Sequence, residues 1–216
     1  MSDYIFMTGA PGSKWSTVAR NIYFSSDINR LDFSQKRTYY HAANGGKKKL
    51  LHHGSYFDPG MEFGNDFERL DEFDVPTLEA EFNRPFPHDL GIKIIKSHYF
   101  AYHLDFLKEN WSCPIVLVYR SSDACMGWWI RCGHFNITYP NYQHYVNIDE
   151  MMKQIDSQNK CILKFIDEND AMPVKNSLEL ATALKLDTNV YYQDYEKNDV
   201  KVYVYWNSYD GARAFT

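Results

Sequence analysis

The chain has 216 residues, 44% apolar and 24% charged, a composition that excludes a disordered protein and can bury one sizeable core. Basic residues number 23 against 28 acidic ones, so the net charge of −5 speaks against a nucleic-acid-coating surface and confines any anion site to a local pocket. No apolar run approaches the roughly 18 residues of a membrane span, and the N-terminus has neither a basic nor an apolar leader region. The reading is a single cytoplasmic domain over residues 1–216, with no membrane partner. Cys113, Cys125, Cys132 and Cys161 form neither a CxxC pair nor a zinc spacing and read as buried, reduced thiols.

In chain order, Tyr4–Thr8 is a short apolar run ending at Gly9, a predicted first strand. A helix through Val18, Ala19, Ile22 and Tyr23 follows the small-residue loop after it. Residues 33–57 carry five basic residues and no acid, whereas 58–82 carry nine acids and one arginine. Such blocks read as a solvated excursion, so 33–82 is expected to be a surface insertion, either a lid or a loop without a role. Ile92–Lys96 and Pro114–Tyr119 are β-branched runs of strand length, and Tyr99–Asn110 between them reads as a helix. Together they predict a β-α-β unit of a parallel sheet. Another helix is expected through Cys125 and Trp129. Asp149–Asp167 has helical spacing, and Asn176–Leu186 a capping box from Asn176 and Glu179. Val200–Trp206 reads as a strand on a sheet edge or in a terminal hairpin. The fold class is α/β: three layers, α/β/α, around a mostly parallel sheet.

The chemistry gathers at three segment ends. The first strand runs into Gly9-Ala10-Pro11-Gly12-Ser13-Lys14-Trp15-Ser16-Thr17. A small-residue loop between strand and helix offers backbone N–H groups and the positive helix end to a phosphate. Gly12 permits the turn, Lys14 adds a charge, and Ser13, Ser16 and Thr17 add hydroxyls. The order is not that of a Walker loop, since Trp15 separates Lys14 from Ser16. The other two strands end in Lys96-Ser97-His98 and in Arg120-Ser121-Ser122. In an open parallel sheet all three ends share one rim, where ligands bind. Basic strand ends, with no acid to hold Mg²⁺, point to an anion bound without a metal.

Lys96-Ser97-His98 resembles the Lys-Thr-His motif of sulfotransferases that use 3′-phosphoadenosine 5′-phosphosulfate (PAPS). Ile115–Arg120 with Ser121-Ser122-Asp123 resembles their 3′-phosphate strand and loop, and the motif order matches. The resemblance covers residues 92–135 and 3–24, about a third of the chain. It implies a sulfonate transfer from PAPS to a hydroxyl or amine, on a small molecule or a peptide, leaving 3′-phosphoadenosine 5′-phosphate (PAP). His98 would be the general base and Lys96 would stabilise the transferring group. Gly12, Ser13, Lys14, Ser16 and Thr17 would hold the 5′-phosphate, and Arg120 with Ser122 the 3′-phosphate. Trp15 would stack on adenine or fill the core. The loop departs from the family's Pro-Lys-Ser-Gly-Thr-Thr in placing glycine before the serine, with Lys14 after it. The family's serine beyond the arginine falls near Gly127 or Trp128, and its C-terminal Arg-Lys-Gly is absent, Arg213 being the nearest substitute. The alternatives are a nucleotide or small-molecule kinase on a P-loop scaffold and a nucleotide-binding relative without turnover.

Overall fold

The computed structural model describes residues 3–31, 38–41, 48–51, 53–57, 67–131, 144 and 146–206. Tyr4–Gly9 (β1) leads through a loop into Trp15–Tyr23 (α1), followed by Thr38–His41 (β2), Lys48–Leu51 (β3) and Ser55–Tyr56 (β4). A 3₁₀ segment, Phe67–Glu72, precedes Val75–Asn83 (α2) and Lys93–Lys96 (β5). A second, Tyr99–Tyr102, precedes Leu104–Asn110 (α3), Ile115–Tyr119 (β6), Ser122–Arg131 (α4) and Ile148–Glu168 (α5). Met172–Val174 (β7), Ser177–Ala183 (α6), a 3₁₀ turn at Glu196–Asn198 and Lys201–Tyr205 (β8) complete the described elements.

Six strands form one sheet in the order β4-β5-β1-β6-β8-β7, and β2 pairs with β3 in a separate antiparallel ribbon. The four strands from β4 to β6 are parallel, while β8 runs antiparallel to both its neighbours. The protein is therefore α/β with a mostly parallel sheet. β1 is buried over its whole length because β5 and β6 flank it, with Met7 opposite Lys96 and Gly9 opposite Val118. Its side chains alternate between two cores. Ile5 and Met7 face α1 and α6 with Val18, Ile22, Leu180 and Val202. Tyr4 and Phe6 face α2, α3 and α5 with Phe82, Phe100, Leu107 and Phe165. Helices on both faces fit the expected three-layer arrangement. The second core is where the aromatic excess goes: Phe6 meets Phe82, Phe100 and Trp111 edge-on, at 5.4–5.5 Å between centroids.

Three expectations change. β8 is an interior strand, not an edge, with Val202 and Val204 buried on one face and Tyr203 and Tyr205 half-covered on the other. The edge belongs to β7, whose Pro173 offers no ladder donor. The predicted helix Tyr99–Asn110 breaks at His103 (φ −124°, ψ 26°) into a 3₁₀ turn and α3. The 33–82 excursion is also shorter than its charge suggested. Ser55–Phe57 joins the sheet and is buried, and α2 plants Leu78 and Phe82 in the aromatic core. Its start is an ordinary one, with Asp74 accepting from Thr77 N–H at 2.8 Å and Pro76 in the first turn. Residues 42–47 and 58–66, the middle of the excursion, lie outside the described residues.

Candidate functional site

The loop between β1 and α1 is shaped by three backbone features. Ser13 N–H closes a turn onto Ala10 O at 3.0 Å, Gly12 has φ +83°, and Lys14 has φ +66° at the N-cap of α1. Gly12 is required, since a Cβ there would lie 2.1 Å from Cys125 O on α4. Gly9 is also packed tight, for its Cβ would lie 2.6 Å from Ser13 Oγ and 2.8 Å from Val118 O. α1 begins with no side-chain cap and no acid in its first turn. Its leading amides are thus not spent on a capping side chain, which is the condition for an anion at a helix start.

The two strand ends meet this loop directly. Ser97 N–H donates to Met7 O at 3.2 Å and Thr8 Oγ1 to His98 O at 3.4 Å. His98 Nδ1 is hydrogen-bonded to Gly9 O. A carbonyl can only accept, so Nδ1 carries the proton and Nε2 is the basic nitrogen of the ring. The imidazole lies on the Trp15 ring at 4.1 Å between centroids. Lys96, fully buried, holds its ammonium 5.3 Å from the Trp15 ring and 5.9 Å from that of Tyr56. Lys96 and His98 are both sealed from solvent, so an acceptor must displace part of their cover to reach them.

Arg120 follows β6 and turns back onto the loop. Its Nη1 donates to Gly12 O at 3.4 Å and to Ala124 O at 2.8 Å. Its Nε donates to Asp199 O at 3.2 Å and stands 3.4 Å from the Asp199 carboxylate. Asn159 of α5 donates to Arg120 O at 2.9 Å and to Ser122 Oγ at 3.2 Å. Lys14 Nζ donates to Asn198 O at 3.0 Å and lies 5.2 Å from the Trp128 ring. Burial first, then the Arg120 charge, holds the Lys14 ammonium below its ordinary range, with Asp199 opposing. Burial pushes the Cys125 thiol up to about 12, Arg120 acting against it, so this cysteine is inert and not a nucleophile.

The structure thus brings all three predicted segments to one rim of the sheet; of the two roles weighed for Trp15 it shows the core one, while Ser13 departs from its expected role. Trp15 is a floor: Lys96, His98 and Tyr56 occupy its surroundings, and at 4% exposure it has no open face for a base. Ser13 has its hydroxyl buried beneath the loop without a hydrogen-bond partner, so it does not offer that group to a ligand at the surface. Ser16 is half-buried and Thr17 exposed at the helix start, and Ser122 opens α4. Asn159, Asn198 and Asp199 escaped the sequence reading. Only Asn159 left a signal, as a polar residue on the inward stripe of α5. Arg213 lies outside the described residues. Among the described residues, no three His, Cys, Asp or Glu side chains are grouped to hold a metal, and no helix is long and apolar enough to cross a membrane. Compared with protein-family models, curated proteins and solved structures, the chain matches none.

Proposed function

We propose that the protein is a sulfotransferase that moves a sulfonate from PAPS to a hydroxyl or amine. What supports this reading is one observation: three segments resembling the family's motifs, from distant parts of the sequence, end on one sheet edge and bond to one another. His98 is tied to Gly9 and Arg120 to Gly12, so base, anion loop and guanidinium form a connected unit. In the proposed step the acceptor oxygen attacks sulfur, the sulfur–oxygen bond to PAP breaks in line, and His98 Nε2 takes the acceptor proton. Lys96, dry against Trp15, meets the charge that develops on the transferring group and the leaving oxygen. The amides opening α1, with Ser16 and Thr17, hold the 5′-phosphate. Arg120 holds the 3′-phosphate. It does so through Nη2, since Nε and Nη1 are already bonded to protein, and not as a two-toothed fork.

The test is thermal stability with PAP and with ATP–Mg²⁺. At a hundred times its dissociation constant PAP adds about 2.7 kcal/mol, or about 5–10 °C in Tm for a chain of this size. ATP–Mg²⁺ giving an equal or larger shift would replace this reading by the kinase one. A His98→Asn variant, which can still donate to Gly9 O, is expected to lose transfer by about 10²–10⁴-fold. Its PAP affinity stays within a few-fold of wild type. Transfer near the wild-type rate would remove His98 from the mechanism, and PAP binding without transfer in the wild type would identify a silent binder.

A further inference from the structure

We infer that Lys14 and Arg120 form a single phosphate subsite bridged by the Asn198–Asp199 turn, so that Lys14 reads the phosphate at Arg120 and not the one at the start of α1. The nucleotide identity of that phosphate rests on the sulfotransferase reading; the subsite itself rests on geometry.

Lys14 and Arg120 bracket the same stretch of loop. Lys14 follows Gly12-Ser13 directly, and Arg120 Nη1 donates to Gly12 O. Both cations then bond to consecutive residues of one turn, Lys14 to Asn198 O at 3.0 Å and Arg120 to Asp199 O at 3.2 Å. Lys14 has positive φ, and its ammonium lies 5.2 Å from the Trp128 ring of α4. Two like charges held this close are unfavourable unless they share an anion. The Asp199 carboxylate acts on both: it stands 3.4 Å from Arg120 Nε, and its charge favours the Lys14 ammonium at longer range. That carboxylate is 72% exposed, so its ion pair is weak and cheap to displace. Among the described residues nothing accepts from Arg120 Nη2, and the ammonium of Lys14 has donated only one of its three hydrogens. A phosphate monoester supplies three acceptor oxygens for these donors, which a single carboxylate does not.

The experiment is calorimetric titration of PAP and of adenosine 5′-monophosphate, which lacks the 3′-phosphate, into wild type, Lys14→Gln, Arg120→Ala and Asp199→Asn. Glutamine is chosen at position 14 because it can still donate to Asn198 O. Lys14→Gln and Arg120→Ala are each expected to weaken PAP by about 10–100-fold and the monophosphate by less than 3-fold. Asp199→Asn, which removes the competing charge, is expected to strengthen PAP by at least 3-fold. Equal weakening of both nucleotides by Lys14→Gln would place Lys14 at the 5′ end and overturn the inference. Unchanged or weaker PAP binding in Asp199→Asn would overturn the shared-anion argument. If wild type binds neither nucleotide, the sulfotransferase reading fails and inorganic phosphate becomes the probe. Thermal protection by phosphate that is lost in both Lys14→Gln and Arg120→Ala sustains the subsite, and no protection of wild type ends it.

Discussion

A methyl group at Gly12 would have to occupy the space of the Cys125 carbonyl, at a φ of +83° that side chains rarely adopt. Gly12→Ala is therefore expected to destabilise the fold by about 2–4 kcal/mol, combining backbone strain with a forced separation of the loop from α4. Denaturant unfolding measures it, and a loss under 0.5 kcal/mol would show that the loop shifts freely. At this scale the sequence was readable for backbone and poorly readable for side chains. Gly12 was expected in the turn, and His98 and Arg120 at strand ends, because strand length and loop composition place those positions. The core role for Trp15 was one of the two that the sequence offered, but nothing local could say which side chains it would meet or that Ser13 hides its hydroxyl. The neighbours of Trp15, Lys96 and His98, come from a strand end eighty or more residues away. Asp199 was unreadable for the same reason, since its contact with Arg120 spans 79 positions.

Elements announced by local signals came out close to expectation. α6 begins at Asn176, whose side chain accepts from Leu178 N–H and Glu179 N–H at 3.0 Å. Glu179 reaches back to Lys175 N–H at 2.8 Å and to the Asn176 amide at 2.9 Å. Asn176→Ala removes the acceptor for two helix-start amides and is expected to cost about 1 kcal/mol, or about 2–4 °C in Tm. No change in Tm would mean that packing of Leu180 and Ala181 alone fixes the helix. β8 differs from expectation because its mixed pattern describes one buried and one half-covered face and carries no information about neighbours. Strand order is decided by β7, and a three-residue strand centred on proline gives almost no sequence signal. The same blindness hid α2, whose Asp74 cap and Pro76 lay inside an acid-rich block read as solvated.

The molecule as a whole holds several protons more tightly folded than unfolded. Burial raises Cys125 from its ordinary 9.0 and Tyr4 from 10.0, each to about 12, and raises Tyr195 further. For each, the unfolded chain ionises first as pH rises. The stability they contribute is complete below about pH 9 and is lost between about pH 9 and 12, with a slope of at most ~1.4 kcal/mol per pH unit per group. Tm is expected to fall steadily from pH 9 upward, and Cys125→Ala to flatten the first part of that fall. A Tm constant to pH 11 would contradict the buried state of these groups.

The interior place of β8 has a consequence for the order of assembly. β1, which opens into the anion loop, is made before its partner β6, yet β6 keeps an open hydrogen-bonding edge until residues 201–205 arrive. During synthesis, residues 120–200 follow β6 before its ladder partner exists. Pairing over that separation is slow, because a long loop must close before any ladder bond rewards it. For that interval the valine-rich edge of β6 is open to pairing with other chains. The Asn198–Asp199 turn enters only with this same last strand, so Arg120 and Lys14 lose their mutual bare repulsion in the step that closes the sheet.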